Sequence, residues 1–305
     1  MSGRVDRELW LGTRAHYADA ALYDHLYRRR REDVRWYAAL AKARGGPVLE
    51  LGCGSGRVSL AIARQGVAVV GVDLSRAMIE RAEAGRAKLP AKTRGLATFQ
   101  AGDFRALRVG RRFPLVVAPF NALQHLYDRG EWEAVLAGVR RHLAPRGRFV
   151  FDVLLPDPIV QARNPARRFS KTRLLHPTTR RPFVYTEGFV HERQRQLLVI
   201  YQWLDDLADP PRRRVVPIAH RQMYPLELEA LLHYNGLRIV ERFGGFRGEA
   251  PSEASESQVL VCEVRRGARR RGPRGRVRRR ARRAGTRRNP RTGHPRTRYR
   301  CRRAS

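Results

Sequence analysis

Apolar and polar residues follow two patterns along the first half of the chain. Short, largely apolar runs occur at residues 48–51, 68–72, 97–101, 115–118 and 148–154. Most of them are followed by a turn and then by a segment whose apolar residues recur every three or four positions. Apolar runs are typical of strands buried on both faces, and the longer spacing is typical of helices. The rhythm predicts a parallel sheet covered by helices on both sides.

The pattern differs on both flanks of this region. Residues 15–44 have helical spacing and are predicted to form one helix that stops at Gly45. Beyond residue 155, prolines interrupt the chain, and three strand-like runs follow with turns but no helix between them. These runs are residues 183–191, 196–205 and 213–223. They predict an antiparallel insert.

A helix at 225–234 and strands at 237–243 and 258–264 then return to the first pattern. The predicted fold is α/β, with a doubly wound, mostly parallel seven-stranded sheet that is Rossmann-like, an antiparallel β insert and a disordered Arg-rich tail. The predicted segments are a helical cap (1–46), an α/β core (47–155), a β-rich lid (156–224), the end of the core (225–264) and the tail (265–305).

Charge is distributed very unevenly. The 305 residues include 63 Lys and Arg but only 28 Asp and Glu, a net charge of +35. Residues 265–305 contain 20 Arg and no acid, which leaves +15 for residues 1–264. Because the tail has almost no apolar content, we expect it to be disordered. It could bind nucleic acid without sequence preference, or be an inert product of a GC-rich reading frame, which its composition favours.

The cysteines and the apolar segments indicate the cellular compartment in which the protein is expected. Cys53, Cys262 and Cys301 form neither a disulfide framework nor a metal-ligand spacing, so we expect no metal site and a reducing environment. The charged N-terminus lacks the apolar stretch of a signal peptide. No window approaches the roughly 18 apolar residues of a membrane helix. The sequence therefore predicts a cytoplasmic protein that is not inserted in a membrane.

The turn after the first predicted strand carries the strongest chemical signal. Glu50, Gly52, Gly54 and Gly56 occupy it, and a helix is predicted directly after it. Glycines let a ligand lie against the main chain, and the positive end of the helix points at that ligand. The spacing differs from the G-x-G-x-x-G of dinucleotide sites, and the acid suits a ligand with an ammonium or sulfonium group. A tight turn that serves only packing is the alternative.

Acidic residues end the next two predicted strands. Asp73 can accept hydrogen bonds from both hydroxyls of a ribose. It could instead cap the following helix, although Ser75 is better placed for capping. Asp103 can accept a hydrogen bond from an exocyclic amine while Phe104 packs on a base, and a plain turn is the alternative for this pair. With the glycine turn, these residues indicate a ligand that contains a nucleoside.

In combination, these segments resemble the class I S-adenosylmethionine-dependent methyltransferases. The resemblance covers residues 15–264 and rests on E-L-G-C-G-S-G at 50–56, V-D-L-S at 72–75, G-D-F at 102–104 and H-L-A-P-R-G-R-F-V-F-D at 142–152. The small-molecule branch with a β-rich lid after strand five is the most similar. The resemblance implies S-adenosylmethionine as cofactor and a small-molecule acceptor that is methylated on nitrogen or oxygen.

The resemblance also implies which residues hold the cofactor. They belong to the glycine loop, to the strand ends that carry acids, to the segment after strand four and to the N-terminal helix. They are Tyr17, Glu50, Gly52, Gly54, Gly56, Asp73, Leu74, Asp103, Phe104, Pro119 and Asn121. Leu74 would lie against the adenine, Pro119 and Asn121 beside the sulfonium, and Tyr17 on a helix that closes over the cofactor.

Candidate groups for the chemistry of the acceptor follow strands four and five. His125 lies where the acceptor is expected and is suited to take a proton near neutral pH; an ordinary packed or surface histidine is the alternative. Asp152 could orient an acceptor amine or bond to neighbouring loop amides. Methyl transfer from a sulfonium depends mainly on positioning, and a base helps only if the acceptor holds a proton.

The lid carries the candidate specificity residues. Tyr185, Tyr201 and Arg221 alternate with apolar residues, and period two would turn some of these side chains toward the cleft. An ordinary two-faced sheet is the alternative for each of them individually. As a group, they are the tentative substrate-contacting residues.

Three rival functions remain at this point. An RNA or DNA methyltransferase anchored by the basic tail is one, but residues 118–121 differ from the N/D-P-P-Y/F of enzymes that methylate base amines. A nicotinamide-dependent oxidoreductase is another, and the glycine spacing and Glu50 count against it. A non-catalytic protein that binds the cofactor or nucleic acid is the third, because a fold does not dictate an activity.

Overall fold

The computed structural model describes residues 2–210 and 212–265, which all belong to one compact unit. The tail prediction from residue 266 onward lies outside the described residues. Along the described chain the strands are β1 (Val48–Leu51), β2 (Val69–Asp73), β3 (Ala97–Ala101), β4 (Phe113–Ala118), β5 (Leu143–Leu154), β6 (Phe169–Leu175), β7 (Pro182–Glu192), β8 (Leu197–Asp206), β9 (Arg213–Arg221), β10 (Leu237–Phe243) and β11 (Ser257–Val264).

Helices precede and follow most strands of the core. They are α1 (Ser2–Ala18), α2 (Ala20–Tyr27), α3 (Glu32–Arg44), α4 (Arg57–Arg64), α5 (Arg76–Ala87), α6 (Ala91–Arg94), α7 (Arg129–His142), α8 (Pro158–Gln161) and α9 (Pro225–Tyr234). Two short 3-10 helices, Phe104–Ala106 and Ala122–His125, follow β3 and β4.

The main sheet has seven strands in the order β10-β11-β5-β4-β1-β2-β3. Strands β1 to β5 pair in parallel, while β11 is antiparallel to both β5 and β10. This arrangement confirms the predicted doubly wound, mostly parallel sheet. Because parallel strands end at the same edge, the turns after β1, β2, β3 and β4 all lie together there.

The alternation of side chains along the strands divides the core into two layers. Leu49 of β1 and Val116 of β4 pack on one face, against α7 and α9. Val48 and Leu115, one position earlier, pack on the other face, against α3 and α4. Since successive side chains of a strand point to opposite faces, a run buried on both sides must be apolar at every position. That is the pattern seen in the sequence.

The prediction that residues 15–44 form one continuous helix was wrong. Three helices occupy residues 2–44, and the first begins well before residue 15. The side chain of Asp19 accepts a hydrogen bond from the Leu22 amide at 2.9 Å and starts α2, because aspartate is a preferred N-cap residue. The chain turns again at Arg30, whose amide donates to the Tyr27 carbonyl at 3.0 Å.

The insert forms a separate four-stranded antiparallel sheet in the order β6-β7-β8-β9. Its existence was predicted, but β6 was not. The residues of β6 are mostly exposed and do not alternate between polar and apolar, so the sequence carried no strand signal there. The boundaries of the cap (1–46) and the lid (156–224) stay predictions.

Helix α1 packs closely on β9 of the lid. A Cβ atom on Gly12 would lie only 2.1 Å from the carbonyl oxygen of Pro217, so the two backbones can approach only because residue 12 is glycine. The His16 ring also bonds through Nδ1 to Oε1 of Gln202 at 2.8 Å. These contacts join the first helix to the lid. No helix in the described part of the chain is long and apolar enough to cross a membrane.

Candidate functional site

A cavity of about 1100 Å³ lies at the edge of the sheet where β1 to β4 end, bordered by α1 and by the lid. Most residues predicted from sequence to hold a ligand line it. They are Tyr17, Glu50, Gly52, Gly54, Asp73, Leu74, Asp103, Phe104, Pro119, His125 and Arg221. The cavity lining does not include Gly56, Asn121, Asp152, Tyr185 or Tyr201.

The glycine turn forms a main-chain cradle at the floor of the cavity. Gly54 has φ +52°, and no atom lies within 4 Å of the place where its Cβ would be. Its amide donates a hydrogen bond to Oδ2 of Asp73 at 2.7 Å, which fixes the turn relative to the end of β2. A side chain at residue 54 would both strain the backbone and project into open space. The turn therefore leaves room for a ligand against the backbone.

Asp73 is held in place by main-chain donors. Besides the Gly54 amide, it accepts the Ser75 amide on Oδ1 at 2.8 Å. Burial raises the pKa of Asp73 above its ordinary value, against the effect of these hydrogen bonds. A carboxylate has about four lone-pair positions, so each oxygen can still accept a hydroxyl. Capping of α5 falls to Ser75, whose hydroxyl accepts the Met78 amide at 3.4 Å, as the sequence indicated.

Glu50 is almost completely buried, with 2% of its surface exposed. The Ser59 hydroxyl of α4 donates a hydrogen bond to its Oε2. Burial is the main reason that the pKa of Glu50 rises to about 8. Its carboxyl group faces both α4 and the cavity.

The carboxylate of Asp103 forms an ion pair with the Arg105 guanidinium. Its Nη2 lies 2.7 Å from Oδ2, and its Nε lies within 3.0 Å of both oxygens. Burial acts to raise the pKa of Asp103, but the hydrogen bonds and charge of Arg105 lower it overall. Arg105 also pairs with Glu131, which accepts the Tyr127 amide at 2.6 Å. Sequence spacing gave no indication of this network, because Glu131 is 26 positions away.

Tyr17 of α1 and His125, from the 3-10 helix after β4, meet at the cavity wall. The Tyr17 hydroxyl and Nε2 of His125 are 2.7 Å apart. Burial lowers the pKa of His125 well below its ordinary value, and the neighbouring His220 and His16 act in the same direction. The His125 and His220 ring centroids lie 5.3 Å apart. His125 is therefore a neutral imidazole at neutral pH, hydrogen-bonded to a tyrosine at the cavity wall.

A second contact ties the cap to the glycine turn. The Ser55 hydroxyl donates to Oδ1 of Asp24 at 2.5 Å, and Arg81 of α5 donates to its Oδ2 at 2.7 Å. We call these three residues the cap latch. In the same region the Ser75 hydroxyl donates to the Tyr17 carbonyl at 3.2 Å. Helices α1 and α2 are thus fastened to the loops that follow β1 and β2.

Asp152 bonds to loop amides, the second of the two roles that the sequence left open. Its carboxylate is 3% exposed and accepts hydrogen bonds from the Phe120 and Asn121 amides and from the Tyr37 hydroxyl. The structure therefore does not bring Asp152 to the cavity. The same holds for Asn121, although its neighbours Phe120 and Ala122 line the wall.

The lid residues divide into two groups. Arg221 lines the cavity and pairs with Glu227 at 2.7 Å. Tyr185 bonds instead to Glu187 at 2.5 Å, and Tyr201 packs with the buried cluster around Leu9. Other lining residues were missed because they carry no motif. They are Trp10, Arg14, Arg57, Tyr127, Gln194, Arg195 and Gln196.

The residues present fit an adenosine-containing, positively charged methyl donor. The cradle at Gly54 would be filled by any side chain there, and Asp73 has acceptor positions left for a ribose. Leu74 is 56% exposed beside it, as an adenine platform requires. Aromatic rings of Tyr17, Tyr23 and Phe120 also line the cavity, and aromatic faces attract cations.

Comparison with known proteins gives a consistent result. Residues 48–147 match the family model described as a methyltransferase domain. The chain is 33% identical over 233 residues to the cypemycin N-terminal methyltransferase of a Streptomyces species, covering 75% of this chain and 88% of that protein.

Two further relatives agree with this match. The dTDP-3-amino-3,4,6-trideoxy-α-D-glucopyranose N,N-dimethyltransferase of Streptomyces venezuelae is 30% identical over 140 residues, 44% of this chain and 56% of that protein. Among solved structures, the CcbJ methyltransferase from Streptomyces caelestis superposes with a TM-score of 0.67 at 27% identity, over 82% of this chain and 98% of that one. None of these names mentions a nucleic acid.

Proposed function

The chain belongs to the S-adenosylmethionine-dependent methyltransferases, and we propose that it methylates an amino nitrogen of a small molecule. One observation carries the proposal. A single cavity joins the main-chain cradle at Gly54 and Asp73 to the Tyr17–His125 pair. When bound, the cofactor supplies a methyl group on a positively charged sulfur, which is a good leaving group.

The size of the cavity supports a small acceptor. Pockets for one drug-sized ligand measure roughly 300–1,000 Å³, and this cavity measures about 1100 Å³. A cavity at the upper end of this range has room for the cofactor and a compact second molecule but not for a large acceptor. Residues of α1 and of the β7–β8 turn border it, including Trp10 and Gln194. These elements exclude water and fix the acceptor, which is where most of the rate acceleration of a displacement arises.

We propose nitrogen as the acceptor atom on the basis of the names of two relatives and of the proton acceptor that His125 provides. The names of both curated relatives specify N-methylation, of an N-terminus in one and of an amino sugar in the other. An amine attacks through its lone pair, so an ammonium must first lose a proton. His125 is the proposed acceptor of that proton, directly or through the Tyr17 hydroxyl to which it is bonded. Because burial lowers the pKa of its ring, His125 is a weak base, and the transfer is favourable only from an amine whose own pKa is lowered in the cavity.

The remaining roles follow from position. We propose that Asp73 binds the ribose hydroxyls, that Leu74 and Phe104 pack on the adenine, and that Glu50 and the glycine turn hold the amino-acid end. Asp103 reaches the adenine amine with the acceptor positions that Arg105 leaves free. Arg221 is the proposed contact to the acceptor from the lid.

We also propose a cellular compartment for the protein and a role for its tail, and both proposals rest mainly on the sequence. The buried cysteines Cys53 and Cys262 are free thiols, which supports a reducing compartment and hence the cytoplasm. Non-specific nucleic-acid binding by residues 265–305 stays a prediction. Comparing the full chain with a chain ending at residue 265 for RNA binding, at low and high salt, would test it.

A labelling experiment tests the proposed function. The full chain is incubated with methyl-labelled S-adenosylmethionine and, separately, with a dTDP-linked amino sugar, a short peptide with a free N-terminus, the same peptide N-acetylated, and bulk RNA. We expect label in a free-amine acceptor, with one S-adenosylhomocysteine formed per methyl group, and none in the acetylated peptide. Label in RNA alone, or no binding of S-adenosylmethionine, would overturn the proposal.

A further inference from the structure

The loop after β4 has a costly backbone conformation. Phe120 and Asn121 have φ values of 57° and 59°, in the left-handed region that residues with a Cβ avoid. Two such residues in succession persist only where the surrounding structure holds them, and strain of this kind is concentrated at functional sites. The loop therefore requires an anchor.

Asp152 of β5 is that anchor. Its Oδ1 accepts the Phe120 amide at 2.9 Å and the Tyr37 hydroxyl at 2.8 Å, and its Oδ2 accepts the Asn121 amide at 3.1 Å. Both carboxylate oxygens are thus used, and both strained residues are bound by their main chain. Tyr37 is fully buried and Asp152 nearly so, so water does not compete for these hydrogen bonds.

The anchored loop forms one wall of the cavity. Phe120 lines it and packs against Tyr23 and Tyr27, with ring centroids 6.5 and 5.1 Å away. The guanidinium groups of Arg30 and Arg57 lie 4.8 and 5.0 Å from the Phe120 ring centroid, and Arg57 is paired with Asp33 at 2.6 Å. A shift of the loop would therefore move an aromatic ring at the cavity wall.

The order of the strands indicates which end of a ligand meets this wall. In the sheet, β4 and β2 lie on opposite sides of β1. A ligand whose nucleoside lies at Asp73 and Asp103, after β2 and β3, extends across β1 toward the loop after β4. For S-adenosylmethionine, the group beyond the nucleoside is the charged sulfur and its methyl group.

We propose that Asp152 is a positioning residue, which sets the Phe120 ring against the methyl-donor end of the cofactor. The proposal rests on the proposed function, because it takes S-adenosylmethionine as the ligand. It differs from a purely structural role in one respect. Disturbing the anchor should affect a cationic ligand more than a neutral one that fills the same cavity.

The variant Asp152→Asn disturbs the anchor with little change in shape. If the amide oxygen keeps the position that faces Phe120 and Tyr37, its NH2 group faces the Asn121 amide, so that two donors oppose each other. Tyr37→Phe is the matched control. It removes one hydrogen bond from the same carboxylate but leaves both loop amides bound.

Calorimetry with S-adenosylmethionine and S-adenosylhomocysteine tests the proposal without a known acceptor. The two ligands differ only in the methyl group and the positive charge. We expect Asp152→Asn to weaken binding of S-adenosylmethionine by about fivefold and to change binding of S-adenosylhomocysteine by less than about twofold. Tyr37→Phe should lower the Tm but leave the ratio of the two affinities unchanged.

Other outcomes would overturn the proposal. Equal weakening of both ligands by Asp152→Asn, or the same loss of selectivity in Tyr37→Phe, would show a merely structural role. Should Asp152→Asn not fold, Phe120→Leu alters the same wall without touching the anchor, and an unchanged affinity ratio in that variant contradicts the proposal. A wild-type chain that binds neither ligand would instead refute the proposed function itself.

Discussion

The two walls of the cavity are built in different ways. The wall at the ends of β1 and β2 is mostly main chain, with Gly54 bonded to Asp73 nineteen positions away. A second wall is made of side chains from distant parts of the chain, such as Tyr17 and His125, which are 108 positions apart. The first wall suits a ligand that is always the same, because its main-chain groups do not depend on residue type. The chemistry of the second wall can change when its side chains are substituted.

The difference predicts that the main-chain wall tolerates change least. Gly54→Val should weaken S-adenosylmethionine binding by about a hundredfold or more, because valine strains a backbone at φ +52° and its side chain enters the ligand's space. Calorimetry measures the loss. Gly95→Val is the control, since residue 95 has a negative φ, open space around its Cβ position and no part in the cavity. Similar losses in both variants would contradict the special role of the cradle.

In the second wall, His125 is the residue whose loss should affect turnover. His125→Ala should lower turnover by about a hundredfold, the lower range for loss of a general base, while cofactor affinity stays nearly constant. Steady-state kinetics with the acceptor identified by labelling, combined with calorimetry, separates the two quantities. Full turnover of His125→Ala between about pH 6 and 9 would leave catalysis to positioning alone.

Asp73 should have a smaller effect than Gly54, because its loss removes hydrogen bonds and does not block the cavity. Asp73→Ala should weaken S-adenosylmethionine binding by about tenfold, or about 1.4 kcal/mol. Asp157→Ala, which removes the exposed N-cap of α8, is a control for loss of an aspartate elsewhere. Unchanged affinity in folded Asp73→Ala would refute the ribose assignment.

The last prediction concerns folding stability instead of ligand binding, and it tests the pH dependence of the contact between α1 and the lid. Burial lowers the pKa of His16 to about 4, so its neutral form stabilises the folded chain above pH 6.5, and this contribution is lost as the pH falls toward 4. The free-energy advantage of wild type over His16→Gln should shrink by up to about 1.4 kcal/mol per pH unit across that range. Thermal unfolding of both proteins at pH 7.5 and pH 5 measures it. A constant difference would show that His16 is not neutral by virtue of burial.

The two walls also differ in how well sequence predicts them. The turns after β1 and β2 could be located because strand, glycines and acid follow one another within residues 48–75. The second wall could not be assembled from the sequence, since no spacing pairs Tyr17 with His125 or Arg105 with Glu131. The sequence prediction missed the first part of helix α1. The apolar residues Trp10 and Leu11 are exposed, so they disturb the helical spacing of buried apolar positions.

Asp152 shows that the role of a buried polar residue cannot be decided from the sequence alone. An acid at the end of a strand is equally consistent with binding a substrate and with satisfying loop amides. The hydrogen bonds that Asp152 accepts from the Phe120 and Asn121 amides, which no residue pattern predicts, decide between them. The structure thereby changes Asp152 from a tentative substrate contact to a residue that shapes the wall from behind.

The cap latch has a kinetic consequence. Asp24 joins α2 to Ser55 of the glycine turn and to Arg81 of α5. The latch thus fastens the cap to the turns where we place the nucleoside, and we expect the nucleoside to leave only after the latch opens. The acceptor side, next to Trp10 and the β7–β8 turn, involves no latch residue. We therefore expect an ordered sequence in which cofactor binds first and demethylated cofactor departs last, so that product inhibition by S-adenosylhomocysteine is competitive with S-adenosylmethionine alone.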